Sequence, residues 1–279
     1  MVYLLITGDT GSGKRSQYQV AEAMQSKNED LGDQVKACLL LGDNIYETGV
    51  DSVDDPQFQS KFEKPYQNID KPFYLLLGNH DYGNRANDVN NRHMYQIKYS
   101  QKSEKWNIPD RYYHKAFGLC DFFFLDTNFE CMDKDSIATQ LKDIKKMIRE
   151  STNQYKILCG HHTWRSIGGH GNAEEPFETF MKDLLSEVSI DMYMCGHDHC
   201  KNHSIVTLSN HTKVHNVVIG TGGKAYDENM KYLENLEIGD FDLEFHSPNL
   251  GYLVFHATKK RIKLQFYNEE NILEYECRL

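Results

Sequence analysis

Five short apolar runs in this chain end alike, in glycine followed by a polar or charged residue: VYLLITGD, VKACLLLGDN, FYLLLGNHD, YKILCGHH and IDMYMCGHDH. Continuous Val/Ile/Leu/Tyr runs of this length fit strands buried on both faces. Between several of them, residues 16–28, 56–69, 133–150 and 174–188 read as helices. Strand alternating with helix specifies an α/β fold around a central sheet, with functional groups gathered beyond the carboxyl ends of the strands. After Asn202 the runs shorten and alternate, as VHNVVIGTGG, LGYLVFHAT and RIKLQFYNEE, and these read as strands of a second sheet. YYHKAFG and CDFFFLDTN, within 112–128, would pair as a hairpin through 118–121, and 82–110 reads as a long irregular loop near the site. No linker, repeat or low-complexity tract interrupts the chain. The expectation is one domain over residues 1–279, an α/β sandwich of two sheets flanked by helices.

A chain of 279 residues can bury a full core. Its net charge of −10 disfavours general attraction to nucleic acid or anionic lipid, so any phosphate must be bound locally. No apolar run approaches the roughly 20 residues that cross a bilayer. Val2 to Ile6 lead straight into Gly8 and Asp9 without a secretory leader, and the seven cysteines are irregularly spaced with no CxxC pair. Free thiols and a cytoplasmic location are expected from this, although a trimmed secreted form would read the same.

Each strand end delivers a potential metal ligand: Asp9, Asp43 with Tyr46, Asn79 with His80, His161 with His162, and His197 with His199. A ligand just past a buried strand rides on rigid backbone, and the adjacent glycine lets the chain turn sharply beside it. Carboxylate, phenolate, amide oxygen and imidazole suit Fe, Zn and Mn, and the lack of cysteine among them argues for catalytic metals over a structural zinc. In HDH, Asp198 separates two histidines that point opposite ways on an extended backbone, which fits two metals better than one. A carboxylate can bridge cations about 3.5–4 Å apart, and Asp43, after the most apolar strand, suits that place.

GDTG, GDNIY, GNHD, GHH and GHDH occur in the order and approximate spacing of the calcineurin-like metallophosphoesterases, and the chain resembles that superfamily from about Leu5 to Cys200. GDNIY with Tyr46, LGDNIYETGV and WRSIGGHG look like the small, tartrate-resistant type of purple acid phosphatase. The resemblance implies an αββα sandwich of two mixed sheets and a binuclear centre. It implies Fe(III) on Asp9, Tyr46 and His199, a second ion (Fe(II), Zn or Mn) on Asn79, His161 and His197, and Asp43 as the bridge. It also implies His80 and His170 as outer histidines that touch substrate or protonate the leaving oxygen, with Asp81 orienting His80. His162 would also face the substrate. The implied reaction is hydrolysis of a phosphate monoester of a small molecule or peptide by in-line attack of hydroxide from the metals, without nucleic acid or membrane. A phosphodiesterase or protein phosphatase of the same superfamily is the alternative, since the metal core is shared. Two departures stand out: HTWRS after His161 is about one residue short of the usual loop, and Cys131 lacks an evident disulfide partner after His170.

Gly8 to Lys14 also has the GxxxxGK spacing of a phosphate-cradling loop after a strand. Arg15 stands where Mg²⁺ coordination needs Ser or Thr, and a nucleotide-binding reading leaves GDNIY, GNHD and GHDH unexplained. Trp164, Arg165, Tyr82, Asn84 and Arg85 are candidates for the cleft wall. His93, His114, His203, His211, His215, His246 and His256 carry no motif and read as packing or surface residues, and the clusters at Lys145-Lys146 and Lys259-Lys260-Arg261 as solvated charge.

Overall fold

The computed structural model describes residues 1–83, 91–226 and 240–279. Two seven-stranded mixed sheets stack face to face, with helices packed on their outer faces. In the first sheet β1 (Val2–Thr7), β2 (Val35–Leu41), β3 (Phe73–Leu76) and β4 (Trp106–Asn107) run parallel. The second contains the hairpin β5 (Tyr113–Phe117) and β6 (Cys120–Phe124), then β7 (Tyr155–Cys159), β8 (Met192–Cys195), β9 (Lys201–Thr207), β10 (Lys213–Ile219) and β11 (Phe241–Ser247). Its order is β11-β9-β10-β8-β7-β6-β5.

Period-two alternation divides the apolar runs between two layers. Leu4, Ile6, Leu39, Leu41, Phe122, Phe124, Ile157 and Cys159 meet between the sheets. Leu5, Cys38 and Leu40 face outward onto Val20, Ala21 and Met24 of helix α1 (Arg15–Leu31). On the far side Phe123 and Leu158 pack near Ile144 and Ile148 of α3 (Lys134–Glu150) and Met181 and Leu184 of α4 (Phe177–Leu185). Burial on both faces explains the unbroken apolar runs, each such side chain contributing roughly 1.5–3 kcal/mol. Asp133 starts α3 by accepting the Ser136 amide at 2.7 Å.

Three expectations need correction. Of the late strands, β9, β10 and β11 extend the second sheet, but β12 (Gly251–Ala257), β13 (Ile262–Asn268) and β14 (Leu273–Arg278) join the first, with β12 antiparallel to β1. Alternation marks a strand without naming its neighbour. Residues 56–69 do not form a regular α-helix; Lys64 donates its amide five residues back to Gln59 at 3.0 Å. The wider turn accompanies a close aromatic packing, with Phe62 4.8 Å from Trp106 and Tyr66 4.9 Å from Phe73 between ring centroids. The segment 82–110 is more regular than expected, containing helix α2 (Arg92–Tyr99) and β4, while 84–90 lie outside the described residues.

Candidate active site

The ends of β1, β2 and β3 in one sheet meet those of β7 and β8 in the other. His161 places Nδ1 2.8 Å from the Leu41 carbonyl, and the Gly8 amide donates to Ile219 at 2.8 Å. Asp9, Asp43 and His197 sit in the left-handed region, with φ of +58°, +52° and +68°. Side-chain-bearing residues rarely adopt it, and it costs of order 1–3 kcal/mol each, so the surroundings must hold them there. The His197 amide does this for its neighbour by donating to Asp9 Oδ2 at 2.9 Å. The glycines of the motifs are needed for the same crowding: a β-carbon on Gly42 would lie 2.5 Å from His161 Nδ1, and one on Gly78 2.1 Å from Asp43 Oδ1.

The seven residues read as ligands fall into two touching groups. In the first, the Tyr46 hydroxyl lies 2.9 Å from Asp9 Oδ1 and 3.2 Å from His199 Nε2. In the second, His161 Nε2 lies 3.1 Å from Asn79 Oδ1 and 3.2 Å from His197 Nδ1. Asp43 lies between them, 3.3 Å from His161 Nε2 and with a carboxylate oxygen within 4.8 Å of one from Asp9. Burial, then the charges of Asp9 and Asp43, hold the Tyr46 phenol well above its ordinary pKa. Burial opposes ionising Asp43, but His161 and His80 outweigh it and keep its pKa low. Burial likewise opposes charging His161, yet Asp43 and Asp9 raise its pKa.

This donor set fits metal ions. The Leu41 carbonyl can only accept, so His161 Nδ1 carries a proton and its Nε2 faces two oxygens and another ring nitrogen. A cation relieves that crowding of acceptors. Asp9, Asp43 and His161, all buried, each present a ligand atom within 4.8 Å of the others.

His80 donates its amide to Asp43 Oδ1 at 3.0 Å and holds Nδ1 2.5 Å from the Glu47 carbonyl, leaving Nε2 3.9 Å from Asp43 Oδ2. Asp81, expected to orient His80, does something else. Its buried carboxylate accepts the amides of Gly78 at 2.8 Å, Asn44 at 3.0 Å and Ile45 at 3.1 Å, so it ties the Asp43 loop to the Asn79 loop. His170 is exposed, stacks on His197 at 3.9 Å and donates its amide to Asp198 at 2.8 Å. Burial first, then the neighbouring His161, pushes the His162 pKa down to about 3. His162, His170, His197 and Asn79 line a cavity of about 490 Å³ that runs out past Phe177 to Glu130, Glu174 and Glu175.

Other cleft candidates are structural. Trp164 is buried near Tyr193, and Arg165 is buried in ion pairs with Glu178 at 2.8 Å and Asp240 at 2.6 Å. Tyr82 is buried with its hydroxyl on Asp126, while Asn84 and Arg85 lie outside the described residues. The Gly8–Lys14 loop is no phosphate cradle, because its amides are spent: Gly11 on the Asp43 carbonyl, Ser12 on Thr10, Gly13 on Gln17 and Lys14 on Ser12. Sequence reading missed three residues. Asp198, taken only as a spacer, accepts His170, Ser166 and Tyr226. Lys224 sets its ammonium 3.4 Å over the Tyr46 ring, and Thr127 holds the start of the His161 loop. Lys224 and Thr127 had no motif to mark them, and Asp198 sat in GHDH between two histidines that drew the reading.

Two sheets thus deliver carboxylate, phenol, amide and imidazole groups from five strand ends into one cleft, a set suited to holding metal ions. The chain belongs to the calcineurin-like phosphoesterase family, whose model matches residues 2–201. It is therefore a metal-dependent phosphoesterase. It is 29% identical to purple acid phosphatase 3 of Arabidopsis thaliana, over 96% of this chain and 74% of that one. It is also 29% identical to the tartrate-resistant acid phosphatase type 5 of Mus musculus, over 85% and 70%. In fold it is similar to GAP50, described as the anchor in the inner membrane complex of Plasmodium (TM-score 0.79, 19% identity, 100% of this chain and 88% of that one). It is also similar to the yellow lupin purple acid phosphatase PPD1 (TM-score 0.72, 15% identity, 99% and 53%). No described helix is long and apolar enough to cross a membrane.

Proposed function

We propose that this chain is an acid phosphatase that hydrolyses phosphate monoesters at a two-metal site, as its similarity to plant and mammalian acid phosphatases suggests. The observation that carries the reading is the division of the donors into Asp9, Tyr46 and His199 on one side and Asn79, His161 and His197 on the other, with Asp43 within 4.8 Å of both Asp9 and His161. One ion would be held by each group, ferric on the tyrosine side and Fe(II), Zn or Mn on the other. Both sheets supply ligands, so we read residues 1–279 as one domain.

Bound there, two cations would polarise phosphoryl oxygens and make water acidic enough to supply hydroxide near neutral pH. The protein supplies position and protons. His80, anchored through Nδ1 on the Glu47 carbonyl, keeps Nε2 available to carry a proton to the leaving oxygen, a role worth about 10²–10⁴-fold when positioned. His170 offers a second imidazole at the cavity wall, its backbone fixed by Asp198. The leaving group would sit outward along Phe129 and Phe177.

The test is phosphate release from an aryl phosphomonoester by metal-reconstituted protein, against Asp43→Ala, from acidic to neutral pH. Turnover in the parent and its loss in Asp43→Ala are expected. A folded, metal-loaded parent that cleaves only an aryl phosphodiester would overturn monoester specificity in favour of the diesterase reading.

A further inference from the structure

One histidine of the cavity has its proton position fixed by hydrogen-bond counting alone. Thr127 follows β6, beside β7 in the second sheet, and its Oγ1 lies 3.2 Å from the His161 amide, 3.1 Å from the His162 amide and 2.7 Å from His162 Nδ1. A hydroxyl has two lone pairs and one proton. Backbone N–H groups can only donate, so both lone pairs are spent on the two amides. The hydroxyl proton must go to His162 Nδ1, which therefore carries none. The proton of the neutral ring then sits on Nε2.

That leaves His162 with nothing to offer a metal, because one lone pair is held by Thr127 and the other nitrogen carries hydrogen. It retains one free donor. Among the described residues Nδ1 is the one ring nitrogen of His162 with a hydrogen-bond partner. The ring lines the cavity with Asn79, His170 and His197, its centroid 4.6 Å from that of His197. This ring therefore puts a donor on the cavity wall beside the second group of ligands.

We propose that His162 is a hydrogen-bond donor to the phosphoryl oxygens of substrate and product, and not a metal ligand, with Thr127 as the positioning residue that fixes its tautomer. The inference rests on the phosphatase reading above. It assigns His162 to binding, and leaves proton transfer to His80 or His170. Loss of the donor should act on KM and on product affinity more than on kcat.

The experiment measures metal content and competitive inhibition by inorganic phosphate in the metal-loaded parent, His162→Phe, His162→Gln, Thr127→Val and Thr127→Ser. His162→Phe keeps the ring volume without the donor and should weaken phosphate inhibition by about 10- to 100-fold, the range for a hydrogen bond to a charged group, with metal content unchanged. His162→Gln, which can place an N–H at the same depth, should recover most of the loss. Thr127→Val should copy His162→Phe, and Thr127→Ser should match the parent. Unchanged phosphate inhibition in His162→Phe overturns the proposal, and so does loss of one metal per chain, which would make His162 a ligand. If Thr127→Val does not fold, the two His162 variants still decide. A metal-loaded parent that neither hydrolyses an aryl phosphomonoester nor is bound by phosphate refutes the phosphatase reading itself, and this inference with it.

Discussion

Replacing Asp81 with Asn separates two roles for this residue, one in orienting His80 and one in joining loops. The carboxylate is surrounded by donors alone. Oδ1 accepts from Gln96 Nε2 at 2.7 Å, Asn44 N at 3.0 Å and Ile45 N at 3.1 Å, and Oδ2 from Gly78 N at 2.8 Å and Asn44 Nδ2 at 3.1 Å. An amide keeps one acceptor oxygen and turns the other into a donor. Whichever way it sits, at least two buried N–H groups lose their acceptor. At about 1–3 kcal/mol for each buried donor left unsatisfied, Asp81→Asn should destabilise the fold by about 2–6 kcal/mol. Because those donors belong to the loops that carry Asp43 and Asn79, metal affinity should fall with stability. Urea unfolding followed by circular dichroism, with metal content measured beside it, reads both. If Asp81 instead serves His80, the variant would keep its stability within about 0.5 kcal/mol, the usual range for substitutions away from structural features, and change the pH profile of turnover. That result would refute the reasoning.

Four further outcomes are expected. His203 and His215 bond ring to ring at 2.9 Å, and burial first, then His215 for His203 and Lys213 for His215, pulls both pKa values down to about 4. Since the folded values lie below the unfolded one, protons favour the unfolded chain and stability falls as pH drops from about 6.5 towards 4; for buried His203 this amounts to about 2 kcal/mol between pH 7 and 5. His203→Gln should flatten that dependence in urea unfolding, and equal pH slopes in the two proteins would contradict it. Tyr46→Phe should abolish any visible absorption of the iron-loaded protein, and an unchanged band would remove Tyr46 from the ligands. The cavity rim carries Glu130, Glu174 and Glu175 with no Lys or Arg among the described residues that line it, so monoesters bearing extra phosphates should show higher KM than neutral ones of similar size, and Glu174→Lys with Glu175→Lys should narrow the gap; equal KM values would show that the leaving group does not enter there. Chelation should abolish turnover and readdition of metal should restore it, and activity that survives complete metal removal, checked by elemental analysis, would exclude metal dependence.

Much of the candidate site was legible because its donor residues follow strand ends directly. A buried strand fixes the position of the residue just beyond it, so VYLLITGD and VKACLLLGDN place Asp9 and Asp43 at one sheet edge without further knowledge. The helices at Arg15–Leu31 and Lys134–Glu150 were legible for a similar local reason, the second having a capping Asp133 as well. Residues 56–69 were misread because their backbone accommodates Phe62 and Tyr66 against Trp106 and Phe73, a demand made by distant partners.

The sequence by itself determined the strands, the donor types and their place at the strand ends, since each depends on period-two burial and on chemistry carried within a few residues. Tertiary structure alone decided which donors touch, that β12 to β14 close the first sheet, that Asp81 joins two loops and that Thr127 sets the proton on His162. Asp81 meets Ile45 across 36 positions and Thr127 meets His162 across 35, and no local pattern of residues encodes such a partner.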